Sequence, residues 1–387
     1  MRMKSAFALP AMMLATALGF SDAEAANRAL VVGVNSYPNL LENGAPTNRD
    51  LTVAVQDAER FQSLLTDTWG IGEDDIRMLT DADATRENIL ASFDDWLVAG
   101  SAPGDRVVFY FSGHGFQLVD ESGDEPDDPF DEGLAPHNVT GDLADGRLEN
   151  IVIDDEIGAL VDKLKGREVW IVVDACFSGT ITRSAAVTGD GRSGNIRART
   201  LTPRGPVRAS TRSIVSSSSD VATHKVKSRL LQIVPDEAEK PDTEGSLFAW
   251  TATTSAQLAF ESAEIGGGVF TLAFVEGLKD QAADFDNDGK VTAAELLTFV
   301  RKRSDDFCKN EPMCRDGAGL TPEVTAPKEQ FTAVLAPQLF TNLNSTASAS
   351  TTSTNTAEAE TDAVSASVSA ETPVETASGL FSHDNDF

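Results

Sequence analysis

Cysteine is scarce in this sequence, and so are basic residues and long apolar runs. The 387 residues include 3 cysteines, and 31 Lys and Arg stand against 61 Asp and Glu, a formal net charge of -30. This charge excludes nucleic acid and anionic membrane as expected partners. Beyond the first 25 residues no segment approaches the roughly 18 consecutive apolar residues of a membrane span. An acidic surface suits cations, basic substrates or a salty habitat, and composition does not choose among them.

The amino terminus has the pattern of a secretory signal peptide. A basic start is followed by an apolar stretch from Ala6 to Phe20 and by Ala23-Glu-Ala25, a small-x-small cleavage site. We therefore expect cleavage after Ala25 and export, to the periplasm or as a secreted protein. Cys308 and Cys314 have a spacing that permits a small-loop disulfide, which leaves Cys176 as an unpaired thiol in an oxidising compartment.

Strand and helix patterns alternate along most of the chain. Apolar runs predict strands at 28–34, 75–79, 106–111, 168–174 and 247–253, and helical spacing predicts helices at 53–69, 85–99, 154–164 and 270–278. A loop rich in Gly, Asp and Pro is expected at 120–138. Such alternation predicts an α/β protein with a doubly wound, mostly parallel sheet and helices on both faces.

Two segments depart from this pattern. Residues 181–245 are rich in Ser, Thr, Gly and Arg and predict a flexible basic linker, for which a merely solvated loop is the alternative. From about residue 339 there is no Lys or Arg, which predicts a disordered acidic tail. The expected organisation is a signal peptide (1–25), a large subdomain (26–180), the linker (181–245), a small subdomain (246–338) and the tail (339–387).

Two apolar runs end in chemically reactive residues. The run at 169–173 leads into Asp174-Ala-Cys176, and the run at 106–111 leads into Ser112-Gly-His114-Gly. Parallel strands deliver such residues to the carboxyl edge of the sheet, where ligands bind. A thiol and an imidazole there are the minimum parts of a cysteine nucleophile with its base. The alternative is a buried structural cysteine beside an unrelated histidine.

These two motifs resemble those of bacterial metacaspase-type peptidases of the caspase-like superfamily. The histidine motif is Phe109-Tyr-Phe-Ser-Gly-His114-Gly and the cysteine motif is Asp174-Ala-Cys176-Phe-Ser-Gly, within a similarity that extends over about 28–335. The resemblance implies a caspase–haemoglobinase fold and a cysteine endopeptidase acting on proteins or peptides. A catalytically silent caspase-fold scaffold and an enzyme with another side-chain preference are the competing hypotheses.

The resemblance also implies roles for particular residues. Cys176 would attack the peptide carbonyl, its pKa lowered by a following helix N-terminus and by His114, and His114 would protonate the leaving amine. The N–H groups of Cys176 and Gly115 would form the oxyanion hole.

Specificity is predicted from Asp174, which stands where caspases, which cut after Asp, have Gln. A carboxylate there favours Arg or Lys before the cut bond. Asp57 and Ser112 align with the other pocket positions, although Asp57 could be a solvated helix residue. Ala54 replaces a cysteine of the family. An Arg-directed protease with an Arg-rich linker is further expected to cut itself between Thr180 and Glu244.

A calcium site is predicted near the carboxyl end of the small subdomain. The segment 284–295 matches an EF-hand loop, with Gly289 at the sharp turn, helical patterns on both sides and these ligand positions: Asp284, Asp286, Asp288, Lys290, Thr292 and Glu295. We expect a structural calcium, against the alternative of an acidic turn without metal. A second, activating calcium is implied by the resemblance at Asp131, Asp154 and Asp155. Arg183 stands at a further ligand position of the family and cannot bind a cation.

Overall fold

The computed structural model describes residues 27–119, 130–177, 192–193, 195–201, 208–209, 246–254, 257–315, 319–326, 330–331 and 335. These belong to the unit formed by residues 1–341, and the second unit, 342–387, lies outside the described residues, as do the predicted signal peptide and tail. The strands are β1 Arg28–Gly33, β2 Leu40–Glu42, β3 Ala45–Pro46, β4 Ile76–Thr80, β5 Arg106–Ser112, β6 Gly115–Val119, β7 Phe130–Leu134, β8 Thr140–Asp142, β9 Arg147–Glu149, β10 Val152–Ile153, β11 Glu168–Asp174, β12 Arg192–Ser193, β13 Ile196–Ala198, β14 Arg208–Ala209, β15 Ser246–Thr251, β16 Phe260–Ser262, β17 Gly267–Gly268 and β18 Glu323–Thr325. The α-helices are α1 Ala54–Asp67, α2 Arg86–Ser92, α3 Asp154–Val161, α4 Val269–Lys279, α5 Ala293–Asn310 and α6 Pro312–Arg315.

A six-stranded sheet in the order β18-β15-β11-β5-β1-β4 forms the centre of the fold. Its five strands from β15 to β4 are parallel, and β18 pairs antiparallel at one edge. The β-branched and aromatic runs of β1, β5 and β11 are buried on both faces, as parallel strands between helical layers must be. The predicted α/β fold with a mostly parallel sheet is confirmed.

Alternation along the strands divides the core into two layers. Val31, Tyr110 and Val172 face the layer that contains α1, α4 and α5, whereas Val32 and Phe109 face the layer that contains α2 and α3. The predicted helices are therefore present on both faces. The helix expected at 85–99 begins where Thr85 accepts a hydrogen bond from the amide of residue 88, but it changes after Ser92 into a π-helix over Phe93–Val98.

The loop expected at 120–138 is wrong at residues 130–134. Residues 130–134 form β7, which pairs antiparallel with β6 and with β10, whereas residues 120–129 lie outside the described residues. This strand was not predicted because its sequence, Asp131-Glu-Gly133, is polar and lacks an apolar run. Gly133 lies opposite Phe116, and a Cβ there would collide with the phenyl ring.

The carboxyl-terminal helices are joined covalently. Cys308 of α5 and Cys314 of α6 form a disulfide with their Cα atoms 4.8 Å apart, and the one free cysteine, Cys176, is buried. In the described part of the chain, no helix combines the length and the apolar character needed to cross a membrane.

Candidate active site

Neighbouring parallel strands bring the two reactive residues to one edge of the sheet. The register pairs Asp174 at the end of β11 with Ser112 at the end of β5. Cys176 and His114 each follow two residues later, and both are buried, with exposures of 0% and 2%. The fold thus places both residues at the carboxyl edge of the sheet, as the sequence predicted.

Contacts with the backbone set the tautomer of His114. Its Nε2 lies 2.6 Å from the Arg49 carbonyl oxygen, and because a carbonyl only accepts, Nε2 carries the proton. Its amide donates to the Tyr37 hydroxyl at 2.8 Å, and the Tyr37 ring packs 4.8 Å from the imidazole. Among the described residues, Nδ1 has no hydrogen-bond partner. It is therefore the nitrogen that is able to take up a proton.

The thiol is held in a neutral state, contrary to the expected low pKa. The Ala259 amide donates to Cys176 Sγ at 2.8 Å, which favours the thiolate, but burial is the larger effect and raises the pKa of the thiol well above its usual range. Burial likewise lowers the pKa of the His114 imidazole to about 3. The prediction of a low thiol pKa took account of a helix N-terminus and of His114, but not of the residues that bury the thiol. Residues after Phe177 lie outside the described residues until 192.

The two predicted oxyanion-hole amides point at one oxygen atom. The N–H groups of Cys176 and Gly115 each donate to the carbonyl oxygen of Arg199, at 3.1 Å in both cases. Gly115 has no room for a side chain, since a Cβ would collide with the Cys176 carbonyl. A paired donor site of this kind stabilises negative charge on a carbonyl oxygen.

The side chain of the same arginine fills an acidic pocket beside the thiol. The Arg199 guanidinium makes ion pairs with Asp57, with Asp174 at 2.8 Å and with Glu261 at 3.4 Å, and all four side chains are fully buried. It also donates to Ser112 Oγ at 2.8 Å. The predicted pocket residues Asp57, Ser112 and Asp174 therefore lie together, and Asp57 is not a solvated helix residue.

Other contacts keep the pocket carboxylates in position. The Gly268 amide donates to both Asp57 oxygens, at 2.9 and 3.1 Å, while the amide and hydroxyl of Thr271 donate to Asp174 Oδ2 at 3.2 and 2.7 Å. A Cβ on Gly268 would lie 2.7 Å from Arg199 Nη1, so a glycine here leaves room for a guanidinium. Burial raises the pKa of the Asp57 carboxyl to about 6, although the charge of Arg199 opposes this shift.

Sequence reasoning missed two residues of this pocket. Glu261 accepts hydrogen bonds from the amide and hydroxyl of Thr52, at 2.7 and 2.9 Å, in addition to its pair with Arg199. The sequence feature that could have indicated Glu261 is its place as a single charged residue directly after the apolar run Leu258-Ala-Phe260. Arg199 was one of eleven Lys and Arg residues in the predicted linker, and only its apolar neighbours Ile196 and Leu201 set it apart.

The EF-hand-like loop lies between two helices, as predicted. It follows α4 and leads into α5, and Gly289 at the sharp turn has a φ of +81°. Oxygen atoms of Asp284, Asp286 and Glu295 lie within 4.8 Å of one another. Asp288 Oδ1 instead accepts from the amide of Lys290 at 2.9 Å. These three converging carboxylates fit a hard divalent cation, whose preferred ligands are oxygen atoms.

The residues of the predicted second calcium site lie on β7 and at the start of α3. Asp131 is in β7, and Asp154 and Asp155 begin α3 directly after the strand that pairs with β7. Across the described ranges, the group of carboxylates close enough together to hold a metal ion is Asp284, Asp286 and Glu295. Asp131, Asp154 and Asp155 are not part of that group. The second site stays a prediction.

Comparison with known proteins agrees with this geometry. Residues 27–184 match the family described as metacaspase, peptidase C14 domain. The chain is 37% identical over 162 residues to Metacaspase-2 of Arabidopsis thaliana, covering 40% of this chain and 35% of the relative. It is 33% identical over 170 residues to Metacaspase-1 of Cryptococcus neoformans, covering 42% and 33% respectively. The chain thus spans about a third of the length of these curated relatives.

A solved structure extends the likeness beyond the matched residues. Protein GSU0716 from Geobacter sulfurreducens superposes with a TM-score of 0.50 at 20% identity, covering 79% of this chain and 96% of that one. At this identity the match concerns the fold alone. Residues 27–184 thus match the metacaspase, peptidase C14 domain in sequence, and this matched segment contains the paired strand ends with Ser112, His114, Asp174 and Cys176.

Proposed function

We propose that this protein is a cysteine endopeptidase that cuts peptide bonds after Arg or Lys, with Cys176 as nucleophile and His114 as acid and base. One observation carries the proposal. The backbone carbonyl of Arg199 accepts from the two oxyanion-hole amides while its guanidinium pairs with Asp57, Asp174 and Glu261. A peptide with arginine before the cut bond would make the same contacts.

The charge of the pocket supports a cationic residue at this position. Without a guanidinium, the three buried carboxylates would lose their common partner, and removing one partner of a buried pair costs about 3–5 kcal/mol. A substrate aspartate would add a fourth carboxylate. Arginine is favoured over lysine, because the planar guanidinium reaches Ser112 and Asp57 from different nitrogens, as Arg199 does.

The tautomer of His114 defines the proton transfers. Neutral Nδ1 takes the proton from the Cys176 thiol as the sulfur attacks the substrate carbonyl, and the imidazolium then gives that proton to the leaving amine. The Arg49 carbonyl holds the Nε2 proton throughout, and the amides of Cys176 and Gly115 stabilise the oxyanion. Water hydrolyses the resulting thioester with His114 as base.

The test is an assay of the mature protein on peptides that differ only in the residue before the cut, which is Arg, Lys or Asp. We expect cleavage after Arg, slower cleavage after Lys and none after Asp. Equal cleavage of all three would indicate a peptidase with another basis of selection. No cleavage of any peptide would favour the alternative of a silent scaffold.

Cleavage after Arg is expected to decline as the pH falls through about 6. Burial raises the pKa of Asp57 to about 6, so below that pH this carboxyl is protonated and the pocket loses one negative charge. Because the His114 pKa is about 3, this histidine does not titrate near pH 6 in the occupied site. The measurement is kcat for an Arg peptide against pH. The Asp57→Asn variant should not show the decline in kcat near pH 6. A variant whose pH profile equals that of the wild type would contradict the assignment of this decline to Asp57.

We also propose that the loop at 284–295 binds calcium as a structural ion. The convergence of Asp284, Asp286 and Glu295 supports this, and those residues would supply the first ligands. Exported modules of this type bind with a Kd of about 10⁻⁴–10⁻³ M. Calcium at 100 times the Kd should stabilise the fold by about 2.7 kcal/mol.

Thermal unfolding with calcium, with magnesium and with a chelator tests the site. Calcium is expected to raise the Tm of the wild type by several degrees, and Glu295→Gln should reduce the shift. Glu264→Gln, outside the loop, is the control and should leave the shift unchanged. A wild-type Tm that does not respond to calcium at 100 times this Kd would rule out this role.

Three further parts of the proposed function concern export, activation and self-processing. The Cys308–Cys314 disulfide supports export to an oxidising compartment after removal of residues 1–25. An activating calcium at Asp131, Asp154 and Asp155 is proposed from the family resemblance. The linker 181–245 is proposed to be cut by the enzyme itself, because an arginine of this linker occupies the pocket.

A further inference from the structure

Residues 196–201 cross the site in an extended conformation. β13 pairs antiparallel with β16, in the register Arg197↔Glu261 and Ala198↔Phe260. The Arg199 amide then donates to the Ala259 carbonyl at 3.0 Å, and the Leu201 amide donates to the Gly115 carbonyl at 3.1 Å. The backbone is therefore held on both sides of the Arg199 carbonyl, where an extended peptide must be fixed for cleavage.

Two independent features select Arg199 among the arginines of this segment. Its carbonyl oxygen accepts from both oxyanion-hole amides, and its side chain is the one in the acidic pocket. Arg197, two residues earlier, donates instead to the Asp50 carbonyl outside the pocket, at 2.6 Å. A carbonyl polarised in this way, beside a buried thiol, belongs to the bond that the thiol would attack.

We propose that residues 196–201 are the enzyme's own first substrate and that the bond cut is Arg199–Thr200. The inference rests on the proposed function and adds to it the position of self-cleavage. Cys176 Sγ bonds to the Arg199 carbonyl carbon as its proton moves to His114 Nδ1. The bond from that carbon to the Thr200 nitrogen breaks, and His114 gives the proton to that amine. Water then splits the thioester and restores the thiol, with Arg199 left as a carboxylate.

The same segment identifies preferred residues around the cut. On the acyl side Ile196 and Ala198 are buried, whereas the intervening Arg197 is partly exposed. On the leaving side Leu201 has no exposed surface and packs in the layer that contains Phe116. The recognition sequence is therefore Ile-x-Ala-Arg followed by Thr-Leu, and a peptide without leucine on the leaving side should be cut less efficiently.

Occupation of the site has a consequence for activity. Cys176 and His114 are both buried while the segment is in place, so an added peptide reaches them only after residues 196–201 have moved. We expect the intact chain to show a lag on added peptides that ends as the Arg199–Thr200 bond is cut.

The experiment is intact-mass analysis of purified full-length chains over time, with amino-terminal sequencing of the fragments and a parallel assay on an added Arg peptide. The wild type should give a fragment that begins Thr-Leu-Thr, and Cys176→Ala should stay intact. Arg199→Gln should reduce this cut by tens-fold or more. Arg197→Gln is the matched control and should be cut like the wild type. Thr200→Pro leaves the pocket contacts in place and should also resist, so it replaces Arg199→Gln if that variant does not fold.

The outcomes separate the two proposals. If the enzyme cleaves the added peptide while its own chain stays intact or is cut at another bond, this inference is wrong and the proposed function is retained. A chain cut after Arg199 in Cys176→Ala points to a contaminating protease and also overturns it. If the enzyme cleaves neither its own chain nor the added peptide, both the proposed function and this inference are wrong.

Discussion

Replacing Cys176 with alanine is expected to lower kcat on Arg peptides by on the order of 10⁶-fold, the scale seen when a protease loses its nucleophile. The first step of the proposed mechanism is attack by this sulfur, and the later steps act on the intermediate that it forms. His114 and the oxyanion-hole amides remain in the variant, but they act on an acyl transfer that no longer has an acceptor atom. The measurement is steady-state cleavage of an Arg peptide by wild type and variant at equal concentration.

The control for this variant is its stability. Cys176 Sγ accepts the Ala259 amide at 2.8 Å, so alanine leaves one buried donor without its acceptor, at a cost of about 1–3 kcal/mol. Cys176→Ser keeps an acceptor and should unfold closer to the wild type while remaining poorly active. Wild-type-like turnover by a folded Cys176→Ala protein would refute the assignment of the nucleophile.

Replacing Asp174 with asparagine should lower kcat/KM on Arg peptides by tens-fold to thousands-fold, corresponding to about 2–5 kcal/mol for the loss of a desolvated charge pair. Asp174 Oδ2 lies 2.8 Å from the arginine nitrogen, and it also accepts from Thr271. Asparagine keeps the size and one acceptor oxygen, so the loss reports charge rather than shape.

Asp162→Asn removes a carboxylate of equal size from an exposed position and is the matched control. Its kcat/KM should equal that of the wild type. If Asp174→Asn keeps wild-type kcat/KM on Arg peptides, or if the wild type cuts faster after Asp than after Arg, the acidic pocket does not select the substrate.

The sequence was sufficient to predict the centre of this fold because its signals are local. The runs before Cys176 and His114 are too apolar for anything but buried strands, and parallel strands end at one edge. Asp174 and Ser112 follow from the same strands, and their register pairs them directly. Most helices were predicted for the same reason, since their apolar spacing lies within a few turns.

The parts that sequence reasoning missed depend on contacts between distant segments. Arg199 lies 142 residues from Asp57 and 62 from Glu261, and its apolar neighbours alone do not predict that it pairs with these two carboxylates. The neutral state of Cys176 follows from the chain that covers it, not from its own neighbours. β7 was missed because its polar sequence is stabilised by strands on both of its edges.

Labelling with a peptide electrophile tests the central claim most directly. An irreversible inhibitor that ends in arginine, incubated with the self-processed enzyme, should form one covalent adduct that maps to Cys176, and free arginine peptide should protect against it. The matched inhibitor ending in aspartate should label at least tens-fold more slowly. An adduct on a residue other than Cys176, or equal labelling by the two inhibitors, would contradict an arginine-directed cysteine peptidase at this site.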